Sequence, residues 1–396
     1  MKICICTNGR PHEGGVNSFI KLMSDSLGLM GHQTNVITLF GISKYRKTRN
    51  TFVDKTDTFL KNSPWKTFIV YNLSKLILCF WLTFYYIFKR WDVIFAQDVS
   101  VVNAGRLVRF LFKVPVVLMI HGSMTLALIH QDKIEKEGFI WRFMINEEKK
   151  AYQTAQAIIS NSDYSTKKYV LSVSSGTKNI SVIRSLIDER MIYRDPEIRK
   201  TQREKLKIPP NAFVILFVGR LTELKGGIYL LLALKQLASE KNVVLVYAGD
   251  GPEKPRLLEY IEKQGLKNRV KILGNIPYDR INQVYNIADV LVVPSITVGD
   301  SQEPMGMVAL EGMAVQIPVI VSNIGGLVEL VKDNYNGFQV PEKNPDALAQ
   351  AILKIKNNPS LTKTLSLNGA EEIKKNYTMM AGAQKFIKVF QSVLSK

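Results

Sequence analysis

Short apolar runs alternate with segments of helical period from end to end of this 396-residue chain, and that alternation limits the fold more than any other feature. Runs such as Val93-Ile94-Phe95-Ala96 are apolar at every position, as strands covered on both faces must be. The pattern argues for parallel sheets wound with helices on both sides, an α/β class. We read two such sheets. The first is expected to use residues 3–7, 35–40, 93–96, 116–120, 157–160 and 180–183, and the second residues 213–218, 243–248, 270–273, 290–293 and 319–321. The charged, poorly apolar stretch 188–210 reads as the linker between them. At this length and 46% hydrophobic content, each sheet can bury a core of its own.

Composition narrows the function classes. The formal net charge is +19, and residues 1–200 hold 29 basic against 16 acidic side chains, so the front half is the more electropositive. Nucleic acid, anionic lipid headgroups and a pyrophosphate-bearing acceptor would all suit that charge, but no nucleic-acid motif accompanies it. The basic cluster Lys44, Arg46, Lys47 and Arg49 also fits a solvated loop. Three cysteines argue against a disulfide framework, and Cys4-x-Cys6 without neighbouring ligands is a poor metal site, better read as part of a strand. The opening Met1 to Asn8 turns polar too soon for a secretory signal, so a cytoplasmic location is expected.

Residues 68–88 are almost wholly apolar and aromatic, with Lys66, Lys89 and Arg90 on the flanks. Asn72, Ser74 and Lys75 interrupt the run, leaving about 13 strongly apolar residues where a membrane span needs about 20. A helix packed on the sheet before residues 93–96 is one expectation. The other, which we prefer, is a helix lying partly in a bilayer surface with cationic flanks, giving peripheral association with an anionic membrane.

Ligands of open parallel sheets bind beyond the carboxyl ends of the strands, so segments that follow strands carry the functional weight. Asp300-Ser301-Gln302-Glu303-Pro304-Met305-Gly306-Met307-Val308-Ala309-Leu310-Glu311 sets two carboxylates eight positions apart. Pro304 suits a first helical turn and Ser301 or Gln302 a cap, so a helix is expected from about Met305. Between Met305 and Val315 only Glu311 is polar. Left unpaired there it would cost on the order of several kcal/mol, so a polar partner is expected. The open amides of the helix start would seat an anion such as a phosphate, with Glu303 beside it. Two solvated carboxylates on a plain amphipathic helix are the competing reading.

A second segment, Phe217-Val218-Gly219-Arg220-Leu221-Thr222-Glu223-Leu224-Lys225-Gly226-Gly227, ends a strand and flanks a short loop with two cations, a fork and a point charge able to stabilise negative charge. Glu223 is placed to pair with either cation. After the first strand, Gly9-Arg10-Pro11-His12-Glu13-Gly14-Gly15 leads into a helix and lets backbone amides approach a phosphate. Tyr247-Ala248-Gly249-Asp250-Gly251-Pro252 and Leu273-Gly274-Asn275-Ile276-Pro277 also follow strands. Gly249-x-Gly251-x-x-Lys254 lacks the third glycine of a dinucleotide fingerprint, which disfavours a nicotinamide enzyme. His121 closes the strand at 116–120 and fits either a structural hydrogen bond or a place near a ligand.

These segments, with Ala314, Pro318-Val319-Ile320 and Gly325-Gly326, resemble the retaining glycosyltransferases of the GT-B fold, family 4, also called glycosyl transferases group 1. The resemblance implies two Rossmann-like domains facing across a cleft. Residues 1–190 would form the acceptor-side domain, 191–376 the nucleotide-sugar-binding domain, and a last helix at about 377–396 would cross back to the first. It implies that Glu303 and His121 hold the donor sugar, Glu311 the ribose, and Arg220 and Lys225 the diphosphate. Gly14, Gly15, Gly219, Gly251, Ile276, Met305, Gly306 and Met307 would complete the donor site. Arg184-Ser185-Leu186 departs from the family's Pro-Asn-Gly, and Met305 stands where Phe or Gly is commoner. No Asp-x-Asp pair occurs anywhere in the chain, and with the cations of the second domain neutralising the diphosphate no metal is expected; the nucleotide-sugar is a co-substrate and no other cofactor is expected.

The function expected from the resemblance is retaining transfer of a sugar, from UDP more readily than GDP, to a hydroxyl of a glycan or lipid-linked glycan in surface polysaccharide synthesis. Two rivals stand beside it: a noncatalytic glycan-binding or scaffold subunit of the same fold, and a GT-B nucleotide-sugar epimerase.

Overall fold

The computed structural model describes residues 1–8, 15–39, 41–42, 64–129 and 133–395. Gly14, most of the glycine loop before it, and the basic cluster at 44–49 lie outside the described residues. The chain divides into two compact units, Met1–Leu186 with Gly382–Lys396, and Ile187–Ala381.

The first unit is built on strands β1 (Lys2–Cys6), β2 (Gln33–Thr38), β3 (Gly41–Ile42), β4 (Val93–Ala96), β5 (Val116–Ile120), β6 (Ala157–Ser160) and β7 (Ile180–Val182), in the order β3-β2-β1-β4-β5-β6-β7. All neighbours are parallel except β2 and β3, which pair antiparallel at Ile37 and Ile42. The pleat of β1 splits its side chains between two cores. Ile3 and Ile5 join Phe19, Met23 and Leu27 of the helix Gly15–Leu29 and Phe386 and Phe390 of the helix Met379–Leu394. Cys4 and Cys6, both free thiols, pack on the opposite side with Leu78 and Leu82 of the helix Pro64–Lys89 and Val101 and Val108 of the helix Val99–Phe112. Burial pushes the Cys6 thiol well above its ordinary range, as an inert core residue requires.

The second unit holds β8 (Phe213–Val218), β9 (Val243–Ala248), β10 (Val270–Ile272), β11 (Val290–Val293), β12 (Val319–Ser322) and β13 (Gly337–Val340), all parallel, in the order β10-β9-β8-β11-β12-β13. Alternate residues again serve two cores. Leu216, Val246, Leu291 and Val321 pack with Ala309, Leu310 and Met313, while Ile215, Leu245, Val292 and Ile320 pack with Leu230, Leu234 and Ile352.

Three expectations need correction. Residues 188–210 are not merely a linker: Pro196–Lys205 is a helix, capped by the Asp195 carboxylate accepting from the amides of Glu197 and Ile198 at 2.9 and 3.1 Å. It docks through ions rather than an apolar stripe, with Arg199 and Arg203 reaching Asp289 at 2.5 and 2.6 Å. The helix expected from Met305 begins at Met307, and its cap is Gly306 in the left-handed region at φ 87°, not Ser301 or Gln302. Gln302 instead accepts from the Gly325 amide at 3.1 Å, which leaves Pro304 ahead of the helix. The strands β3 and β13 were not anticipated, being a two-residue edge and a segment of Gly and Gln among its apolar residues.

Candidate functional site

In the second unit β9 and β10 lie on one side of β8, and β11 to β13 on the other, so the connection reverses between β8 and β11. A crevice opens at such a switch point beyond the carboxyl ends of the strands. The loops that leave β8 and β11 form its walls and touch. Gly226 sits at φ 64°, and a Cβ there would lie 1.9 Å from the Pro294 carbonyl oxygen, so no side chain fits. The Ile296 amide donates to the Leu224 carbonyl at 2.8 Å. From the other side, Gly249 after β9 approaches Gly219 so closely that a Cβ would meet its carbonyl oxygen at 1.8 Å. The Leu221 amide bonds the Asp250 carbonyl at 2.9 Å, and Gly251 lies against Leu221.

This knitting places the cations. The Lys225 ammonium pairs with Glu303 at 2.5 Å, and the buried Ser295 hydroxyl donates to the same carboxylate oxygen at 3.3 Å. Glu223, expected to compete for the cations, is exposed instead and opens the short turn Glu223–Lys225. Arg220 is exposed, and its guanidinium has no partner among the described residues. Behind the crevice the Glu303 carbonyl accepts from the Gly326 amide at 2.9 Å, which ties the carboxylate's own backbone to the loop after β12. Met305 is buried, Met307 half-buried, and no side chain among the described residues caps the helix Met307–Ala314, which leaves its first amides to an anion. Ile276 is half-buried in the turn after β10.

Glu311 is 7% exposed, and the polar partner its setting demands is the Tyr285 hydroxyl, which donates to its Oε2. Burial outweighs that hydrogen bond and lifts the carboxyl to about 7.

The first unit carries the remaining candidates. His121 follows β5, with Nε2 at 3.0 Å from the Gln97 Oε1 and its ring edge-on to Phe19 at 5.4 Å. Burial lowers its pKa to about 4, so the imidazole is neutral at physiological pH. The loop after it is held by Glu148, which accepts from the Ser123 hydroxyl and the Thr125 amide, each at 3.0 Å. Gly15 is the first residue of the helix Gly15–Leu29.

Tyr285, Ser295 and Glu148 escaped sequence reasoning. Glu148 had a usable signal: in Glu147-Glu148-Lys149-Lys150 the two glutamates, and neither lysine, fall in step with Met144, Ala151 and Tyr152 on the buried stripe of the helix Phe139–Thr154. Nothing local marks Tyr285 or Ser295. Among the described residues, no group of three or more His, Cys, Asp or Glu side chains is gathered as a metal would need.

Comparison with known proteins decides the family. The model of glycosyl transferases group 1 matches residues 198–372, and that of glycosyltransferase family 4 matches residues 13–190. The chain belongs to glycosyltransferase family 4. An uncharacterized glycosyltransferase of Methanocaldococcus jannaschii is 27% identical over 99% of this chain and 98% of its own length. Sucrose-phosphate synthase of Thermosynechococcus elongatus shares the fold at a TM-score of 0.77 and 21% identity, covering 100% of this chain and 99% of the other. HepE of Anabaena, solved with UDP, does so at 0.74 and 21%, covering 99% and 100%. The two parallel α/β units are those of the GT-B fold, and this glycosyltransferase brings Gly219, Arg220, Lys225, Gly251, Glu303, Gly306 and Glu311 into the second of them.

Proposed function

We propose that this family 4 glycosyltransferase takes its sugar from a nucleotide diphosphate, UDP rather than GDP, and transfers it with retention to a hydroxyl of a glycan or lipid-linked glycan in surface polysaccharide synthesis. One observation carries the donor reading. At the switch point of the second sheet, Arg220, without a partner among the described residues, and the tethered Lys225 adjoin the loop that ends in the helix start at Met307 and the two buried carboxylates, Glu303 and Glu311. A diphosphate supplies the charge such a site lacks. The Anabaena protein of like fold, solved with UDP and separately with UDP-glucose, supports the same choice.

In this reading Arg220, Lys225 and the amides at Met305 to Met307 receive the diphosphate, and no metal is needed to offset its charge. Glu303, held by Lys225, takes the sugar hydroxyls, and Glu311 takes the ribose. The acceptor oxygen bonds to the anomeric carbon on the face the diphosphate leaves. The breaking carbon–oxygen bond sends its electron pair to the diphosphate, and a phosphate oxygen takes the acceptor proton. No protein nucleophile is required. We place the protein in the cytoplasm, peripherally bound to the inner face of the cell membrane.

Calorimetric titration of the metal-free protein with UDP and GDP, followed by transfer assays with UDP-sugars, tests this. UDP binding that R220A weakens, with turnover lowered on the order of a hundredfold, is expected. Near-normal turnover in R220A sinks the assignment of Arg220, and absent nucleotide binding returns the protein to a noncatalytic role. Sugar isomerisation without acceptor would mark an epimerase.

A further inference from the structure

The helix Pro64–Lys89 has two apolar faces. One, with Tyr71, Leu78, Leu82 and Tyr86, is buried in the first unit. The other runs through Trp65, Ile69, Leu73, Leu76, Phe80, Phe84 and Ile87, all exposed, with Leu76 at 66% and Phe80 at 59%. Steps of three and four residues make this a single stripe, about 33 Å long at 1.5 Å per residue. Leu107, Phe110 and Leu111 of the adjacent helix Val99–Phe112 are exposed as well, and Tyr86 stacks on Phe112 at 4.5 Å to join the two helices. The helix is long and apolar enough to span a bilayer, but the core packing of its other face speaks against that role.

Soluble proteins rarely leave so continuous an apolar ridge in water. The charges around it identify the occupant. Residues 64–113 contain seven lysines and arginines and two aspartates. Of these, Lys89, Arg90, Arg106 and Lys113 are exposed, as is Asp92, while Asp98 is half-buried and engaged as a helix cap. A second copy of the chain would bring cations against cations; an anionic lipid surface meets both the ridge and its charges.

We propose that this ridge lies in the headgroup region of an anionic bilayer, parallel to its surface, and docks the first unit there. This deepens the membrane placement proposed above and is independent of the donor chemistry. The full chain should sediment with vesicles of phosphatidylcholine and phosphatidylglycerol but at least tenfold less with phosphatidylcholine alone, and high salt should release it. L76E/F80E should lose vesicle binding while keeping its thermal melt and UDP affinity, and K89E/R106E should lose the preference for anionic vesicles. As a check free of folding effects, brominated lipid should quench the wild-type tryptophan emission more than that of W65F. Wild-type protein that stays in solution with both vesicle types overturns the proposal. So does undiminished binding by L76E/F80E, or a concentration-dependent dimer that L76E/F80E abolishes in protein that never binds vesicles.

Discussion

At the residue scale the site turns on how two carboxylates are answered. Glu303 has a cation and a hydroxyl, while among the described residues Glu311 has only a phenol, and its carboxyl rises to about 7. A carboxyl raised on folding favours the protonated form in the native state. Its contribution is therefore fully present below the unfolded value near 4.5 and is lost as pH climbs toward 7. Replacing Glu311 with Gln removes the ionisation and keeps an acceptor for Tyr285. Above pH 7.5, E311Q should exceed the wild type in stability by up to about 3 kcal/mol, and near pH 4 the two should agree. Thermal melts at both pH values check this, and equal melts at high pH refute the raised carboxyl. The same variant should bind UDP more weakly, because the ribose loses a charged acceptor.

At the scale of elements, polar and backbone contacts do work that no apolar pattern announces. Asp289, just ahead of β11, accepts from the Val214 amide at 2.7 Å and pairs with both Arg199 and Arg203, so one side chain ties β8, β11 and the helix Pro196–Lys205. D289A should cost the second unit about 2–3 kcal/mol, discounted for the partial exposure of the pairs, as measured by urea denaturation. A loss under about 0.5 kcal/mol would mean the helix is held otherwise. Gly226 is where the loops leaving β8 and β11 touch. A methyl group there meets the Pro294 backbone, so G226A should displace Lys225 from Glu303 and lower turnover at least tenfold, beyond what its melting temperature explains. Turnover within twofold of wild type would show that the loop adapts.

At the scale of the whole molecule, each unit buries two cores on the two faces of one sheet, which is why the parallel strands were so legible. A strand covered on both sides must be apolar throughout, and β4, β5, β6, β8, β9 and β11 match their expected bounds residue for residue. The edge strand β13 and the ion-docked helix Pro196–Lys205 lack that signature, and so stayed hidden. The spacing of Glu303 and Glu311 and the cation loop from Gly219 are local motifs, readable because each follows a strand whose end is where ligands gather. Their partners are not local. Lys225 meets Glu303 across 78 residues, and Tyr285 meets Glu311 across 26. Likewise, the helix Pro64–Lys89 carries apolar residues on opposite faces, so only its packing reveals which face is covered and which meets solvent. By itself the sequence determined the α/β class, the two sheets and the candidate side chains, since burial and strand-end position leave periodic, local marks. Only the tertiary structure decided which charges are neutralised, which carboxyl is raised and which apolar face is left open, because these depend on segments distant in sequence packing against one another.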